Sequence, residues 1–65
     1  MKIVNVNKED VFKHLEKGIE VYSFDTASDS LENLRYIVVD EILRFIKCNS
    51  IVYFIVESEE RKNGN

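Results

Sequence analysis

The sequence has no proline, no tryptophan, two glycines, one histidine and one cysteine in 65 residues. Each shortage excludes something. A single cysteine, Cys48, forbids an intramolecular disulfide. Cys48 and His14 are the only good soft ligands, so one chain is poorly equipped to build a structural zinc site. With so little proline and glycine, long irregular loops are not expected. A glycine-rich phosphate cradle is also missing. The longest uncharged apolar run, Ile51 to Val56, is far too short to span a bilayer. Met1 to Val6 lacks the apolar core and cleavage site of a signal peptide. A lone thiol without a secretion signal suits a reducing cytoplasm. No cofactor is implied.

Positive charge is also in short supply. Nine Lys and Arg residues stand among twelve acids, giving a net charge of −3. Proteins that hold nucleic acid by its phosphates usually show a basic patch or stripe. Here the basic residues are scattered, which disfavours nucleic acid as a partner.

What remains is the composition of a folded domain, 45% apolar and 32% charged. The length fits one domain, expected over residues 1–57 with a charged, frayed tail over 58–65. A chain this short has a modest core, and its stability needs a supplement. Without a disulfide or zinc, self-association is the supplement left. A homo-oligomer is therefore expected.

Lys2 to Val6 reads as a short strand. Asn7 is a good helix N-cap, with Glu9 and Asp10 suiting the helix dipole. A helix is expected from about Lys8 to Lys17, with Val11, Phe12 and Leu15 as its apolar stripe. Gly18 supplies the left-handed stop. Ile19 to Asp25 alternates as a strand, and Thr26 to Ser30 forms a turn. Leu31, Leu34, Val38, Ile42 and Phe45 then recur at helical spacing through Cys48, with Asp29 or Ser30 as cap and Asn49 as the left-handed end. The β-branched run Ile37-Val38-Val39 conflicts with that helix. It supports a second parse, in which Leu31 to Ile37 is a strand pairing with Tyr22 and only Val39 to Cys48 is helical. Ser50 to Val56 is the last strand, apolar on both faces. The expected fold is α+β, β-α-β-α-β with a three-stranded sheet and two helices, or βαββαβ under the second parse. A strand apolar on both faces needs cover on both, from the helices or from a second copy.

Few residues invite chemistry. Asp25 stands at a strand end, and Asp29 follows four residues later. Carboxylates at strand ends hold magnesium in some α/β enzymes. Turn formation and helix capping account for both residues more simply. His14 reads as a surface histidine among charges. Cys48 lies at a helix C-terminus, where the dipole disfavours a thiolate, and reads as a small half-buried hydrophobe. No catalytic, cofactor or metal residue is assigned. The candidate interface is Val52, Tyr53, Phe54 and Ile55, as aromatics in apolar company favour core or interface. Asp25, Asp29, Glu57, Glu59 and Glu60 form a weaker candidate surface, in which the acids after the last strand, Glu57, Glu59 and Glu60, are able to imitate phosphates before a basic protein groove.

The stretch from Val4 to Asp25 combines a short strand, the capped helix Asn7 to Lys17, the Gly18 stop and Glu20-Val21-Tyr22. With Val39-Asp40-Glu41-Ile42 and an acidic end after an aromatic strand, it resembles small uncharacterised phage and prophage proteins of low-GC Gram-positive bacteria. The resemblance implies a phage-like accessory protein and no particular activity. The expected function is therefore that of a small non-enzymatic interaction protein, contacting a host or phage protein. The alternatives are a nucleic-acid-binding module and a small metal-dependent enzyme using Asp25 and Asp29.

Overall fold

The expected helix from Lys8 to Lys17 is shorter than the sequence suggests and is preceded by a 3-10 turn. In the computed structural model, which describes residues 1–57, strand β1 spans Lys2–Val6 and leads into a 3-10 turn at Lys8–Asp10. Asn7 has the extended N-cap conformation and acts through its backbone. Its carbonyl accepts the Asp10 N–H at 2.8 Å. Helix α1 proper is Val11–Glu16. Gly18 ends it at φ 80°, in the left-handed region that glycine enters without steric cost. Residues 58–65 lie outside the described residues, and with them the expected tail and its acids Glu59 and Glu60.

Among the described residues the protein is α+β with two helices, and its sheet has four strands. Strand β2 is Tyr22–Asp25 and β3 is Ser30–Asn33. A second 3-10 turn, Leu34–Tyr36, leads to helix α2 at Val39–Ile46, and β4 is Ile51–Glu57. The three-stranded expectation and the long helix from Leu31 are thus corrected, and the chain follows the βαββαβ order. Two local causes stand out. The β-branched run at Ile37-Val38-Val39 straddles the start of α2, with Val38 extended as its N-cap at ψ 154°. Asp29 caps no helix. It sits at φ 56° in the turn between β2 and β3, a conformation aspartate tolerates better than most residues. Asn49 is not the left-handed stop either, since Asp29 alone among described non-glycine residues has positive φ.

The strand order is β1-β4-β2-β3, and every neighbouring pair is antiparallel. The last strand is therefore interior. Its register pairs Val4 with Ile55, Val6 with Tyr53, Tyr22 with Phe54 and Phe24 with Val52. Directly paired residues share a face. Val4, Val6, Ile51, Tyr53 and Ile55 face both helices. They pack with Val11, Phe12 and Leu15 of α1 and with Ile42, Phe45 and Ile46 of α2. Leu34, from the 3-10 turn, is 1% exposed and plugs the same core. Both helices cover one face of the sheet.

Candidate functional site

The pleat sends alternate residues to the other face. The paired positions identify its members as Ile3 and Asn5 of β1, Val52, Phe54 and Val56 of β4, Tyr22 and Phe24 of β2, and Leu31 and Asn33 of β3. Seven of the nine are apolar or aromatic, and none is charged. The charged residues within the strands, Lys2, Asp25, Glu32 and Glu57, all point the other way. In a chain with 32% charged residues, that segregation defines a surface. Ile3 is 63% exposed, Leu31 60%, Val52 49% and Val56 41%. Tyr22, Phe24 and Phe54 are half-buried. At the centre, the rings of Tyr22 and Phe54 stack with centroids 5.5 Å apart and planes 17° from parallel. Isolated exposed apolar side chains are ordinary, but a contiguous uncharged patch marks a contact surface.

A polar cluster closes one end of this face. The Glu20 carboxylate accepts from the Arg35 guanidinium at 2.8 Å, from the Tyr22 hydroxyl at 3.3 Å and from the Asn33 amide at 3.4 Å. The Arg35 hydrogen bond, helped by Tyr22 and Asn33, holds the Glu20 carboxyl below its ordinary range. Burial, and then the neighbouring Glu20 charge, push the Tyr22 phenol up. Both partners are well exposed, so the ion pair contributes little stability. Its effect is to cancel charge at the rim of the face.

The structure splits the expected interface residues. Val52 and Phe54 lie on the open face, whereas Tyr53 and Ile55 are 3% and 8% exposed in the protein's own core. Four consecutive outward side chains are excluded by the pleat. The face instead gathers residues from all four strands. Val56, Ile3, Tyr22, Phe24 and Leu31 were missed as site residues because only the register brings them together. The alternation Tyr22/Phe24 against Val21/Ser23 was the local signal.

The acidic candidates do not converge. Asp25 accepts the Ala27 N–H at 2.9 Å and the Ser50 hydroxyl at 2.8 Å, and these bonds lower its pKa in that order. Thr26 ties the same turn to the Ser50 carbonyl at 2.8 Å. Asp25 thus serves as the anchor of its loop. Asp29 is exposed in the turn, and Glu57 is exposed at the far end of β4. Among the described residues, no three His, Cys, Asp or Glu side chains group to hold a metal. His14 Nδ1 lies 2.8 Å from the Asp10 carbonyl oxygen and so donates to it. Cys48 is exposed rather than half-buried, with its sulfur 3.2 Å from the Ser50 hydroxyl. Among the described residues, no helix is long and apolar enough to cross a membrane.

No family model matches this chain, and neither does any curated protein or solved structure. The open face itself is the guide to function. A concavity of about 360 Å³ at one end of β1 and β4 is lined by Asn5 and Val52 of this face together with Asn7 and Lys8. A second groove, of about 340 Å³, runs on the opposite side between Phe12 and Leu15 of α1 and Val39 and Ile42 of α2.

Proposed function

We propose that this chain is a small non-enzymatic interaction protein whose working surface is the open face of its sheet. One observation carries the reading: nine side chains from four strands form a face without a single charge, on a chain rich in charge. Leaving such a face in water forgoes roughly 25 cal/mol for every Å² of apolar surface. A protein partner recovers that free energy. The resemblance carried by Val4 to Asp25 supports a phage-like accessory protein acting on a host or phage protein. The free thiol of Cys48 suits the cytoplasm.

Two other classes of function fit less well. A four-stranded sheet with outward aromatics can stack single-stranded bases, but such sites join aromatics to a basic groove. This face has no lysine or arginine, and the Arg35 charge at its rim is taken by Glu20. Metal-dependent catalysis through Asp25 and Asp29 is disfavoured because Asp25 is committed to its own loop.

The test is site-specific photocrosslinking in the cell that makes the protein. A photoreactive side chain at position 52, on the open face, is compared with one at position 32, on the helix side. The reading expects a discrete crosslinked species from position 52 and none from position 32. Uncrosslinked chain from position 52 would refute it.

A further inference from the structure

We infer that the occupant of the open face is a second copy of this chain, packed sheet against sheet in a symmetric dimer. The inference rests on the proposed function in taking the open face as the contact surface, and it puts a copy there in place of the host or phage protein. Three observations favour a copy over another molecule.

The first is charge. The chain carries twelve acids against nine Lys and Arg residues and a net charge of −3, so two copies repel overall. The open face is where they can meet without placing like charges together. A partner of opposite charge would be better held elsewhere on the molecule.

The second is self-complementarity. The central row of the face runs Asn5, Phe54, Tyr22, Asn33 across β1, β4, β2 and β3. By residue type it reads the same from either edge: amide, aromatic, aromatic, amide. A two-fold axis along the strands lays amide over amide and aromatic over aromatic. In an isologous interface residue i meets residue j and j meets i, so Asn5 would face Asn33 and Phe54 would face Tyr22 twice over. Two twisted sheets packed face to face lie about 10 Å apart with strands roughly 30° from aligned. That spacing suits interdigitated side chains of this size.

The third is area. Ile3, Leu31, Val52 and Val56 leave 41% to 63% of their surface to be covered, which suits an interface at the low end of the specific range, about 1,200 Å² for the pair. The dimer should therefore be stable but modest in affinity. It would also give a chain of 65 residues the second core layer that its length denies it.

The last strand was expected to need cover on two sides. Its helix side is covered by the chain itself, and the inference assigns the other side to the copy.

Sedimentation equilibrium of the purified full chain, from about 1 to 500 μM, tests this. The expected mass is twice the 7.6 kDa of the chain. Val52→Glu and Leu31→Glu, at exposed positions that a folded monomer tolerates, should each weaken the dimer at least about tenfold with unchanged circular dichroism. Leu43→Glu, at a comparably exposed site on α2, should leave it intact. If the face variants unfold, isotope-filtered nuclear Overhauser contacts in a mixed-labelled wild-type sample give the same answer, expected between copies at Leu31 and Val52. A monomer throughout the range, or contacts between copies confined to α2, would overturn the inference. A monomer whose position 52 still crosslinks to a different protein would sink the copy and leave the open face as the working surface. Failure of that crosslink as well would sink both.

Discussion

Tyr53 is the place where the core breaks its own rule, and replacing it with phenylalanine should stabilise the protein. The residue is 3% exposed, and its hydroxyl is the one buried side-chain polar atom among the described residues that finds no hydrogen-bond partner. A buried hydroxyl without a partner costs about 1–3 kcal/mol in desolvation. Tyr53→Phe removes that cost and leaves the ring against Val6 and the helices. With an unfolding entropy near 2.1 cal/mol/K per residue, 1 kcal/mol shifts Tm of a chain this size by roughly 7 °C. Thermal unfolding followed by circular dichroism should therefore show a rise of about 7 °C or more. The pH profile supplies a second signature. Burial raises the Tyr53 pKa in the folded state. The unfolded chain loses this proton near pH 10, while the folded chain keeps it to higher pH. Folding thus retains a proton that the unfolded chain releases. Stability is unaffected by this group below about pH 10 and falls above it, by up to about 1.4 kcal/mol per pH unit. Tyr53→Phe should flatten that alkaline decline. A variant that melts several degrees lower, with the decline intact, would mean that the hydroxyl is hydrogen-bonded in the core and would refute the reasoning.

Three further outcomes follow from the same packing. Leu34→Ala empties the site of a side chain 1% exposed and should cost about 2–5 kcal/mol, enough to unfold much of the population in a urea titration. A loss below 1 kcal/mol would deny Leu34 its place as the plug. Gly18→Ala meets no atom within 4 Å, so its cost of about 1 kcal/mol would come from φ 80° alone, and Gly18→Asn should cost less. Equal costs in chemical denaturation would contradict that. Ser50→Ala removes the hydroxyl that donates to Asp25, so the Asp25 midpoint in a carboxyl-detected NMR titration should move up. Because the folded pKa is depressed, the stability from this group is present above its ordinary value near 4 and is lost as pH falls through the folded pKa. An unmoved midpoint would remove Ser50 from the loop.

The sequence made some elements easy to read and hid others, for identifiable reasons. The end of the first helix could be read from Gly18 because left-handed geometry is local chemistry, whereas Asn7 makes no side-chain cap and α1 proper starts only at Val11. The last strand was plain because six consecutive β-favouring residues leave few alternatives. Leu31 to Val38 misled because its apolar residues fall at helical spacing, although the leucines do separate jobs. Leu31 sits outward across from Phe24 in a strand, and Leu34 turns inward three residues later, in the 3-10 turn. The β-branched run before Asp40 was the local warning. The candidate site was less legible still. In a strand apolar on both faces, nothing local says which face the helices take. Once β4 lies between β1 and β2, the register sorts Val52, Phe54 and Val56 from Tyr53 and Ile55. The missing charge then becomes visible as a property of a surface.

The most direct test of the open face compares two leucines by hydroxyl-radical footprinting in the living cell. In the isolated chain Leu31, on the open face, is 60% exposed, and Leu43, on α2, is 46% exposed. The free chain would therefore be oxidised faster at Leu31. If the open face is occupied in the working protein, the order inverts and Leu31 becomes the slower of the two. Oxidation at Leu31 that stays ahead of Leu43 would mean that the face is bare, and would contradict the account.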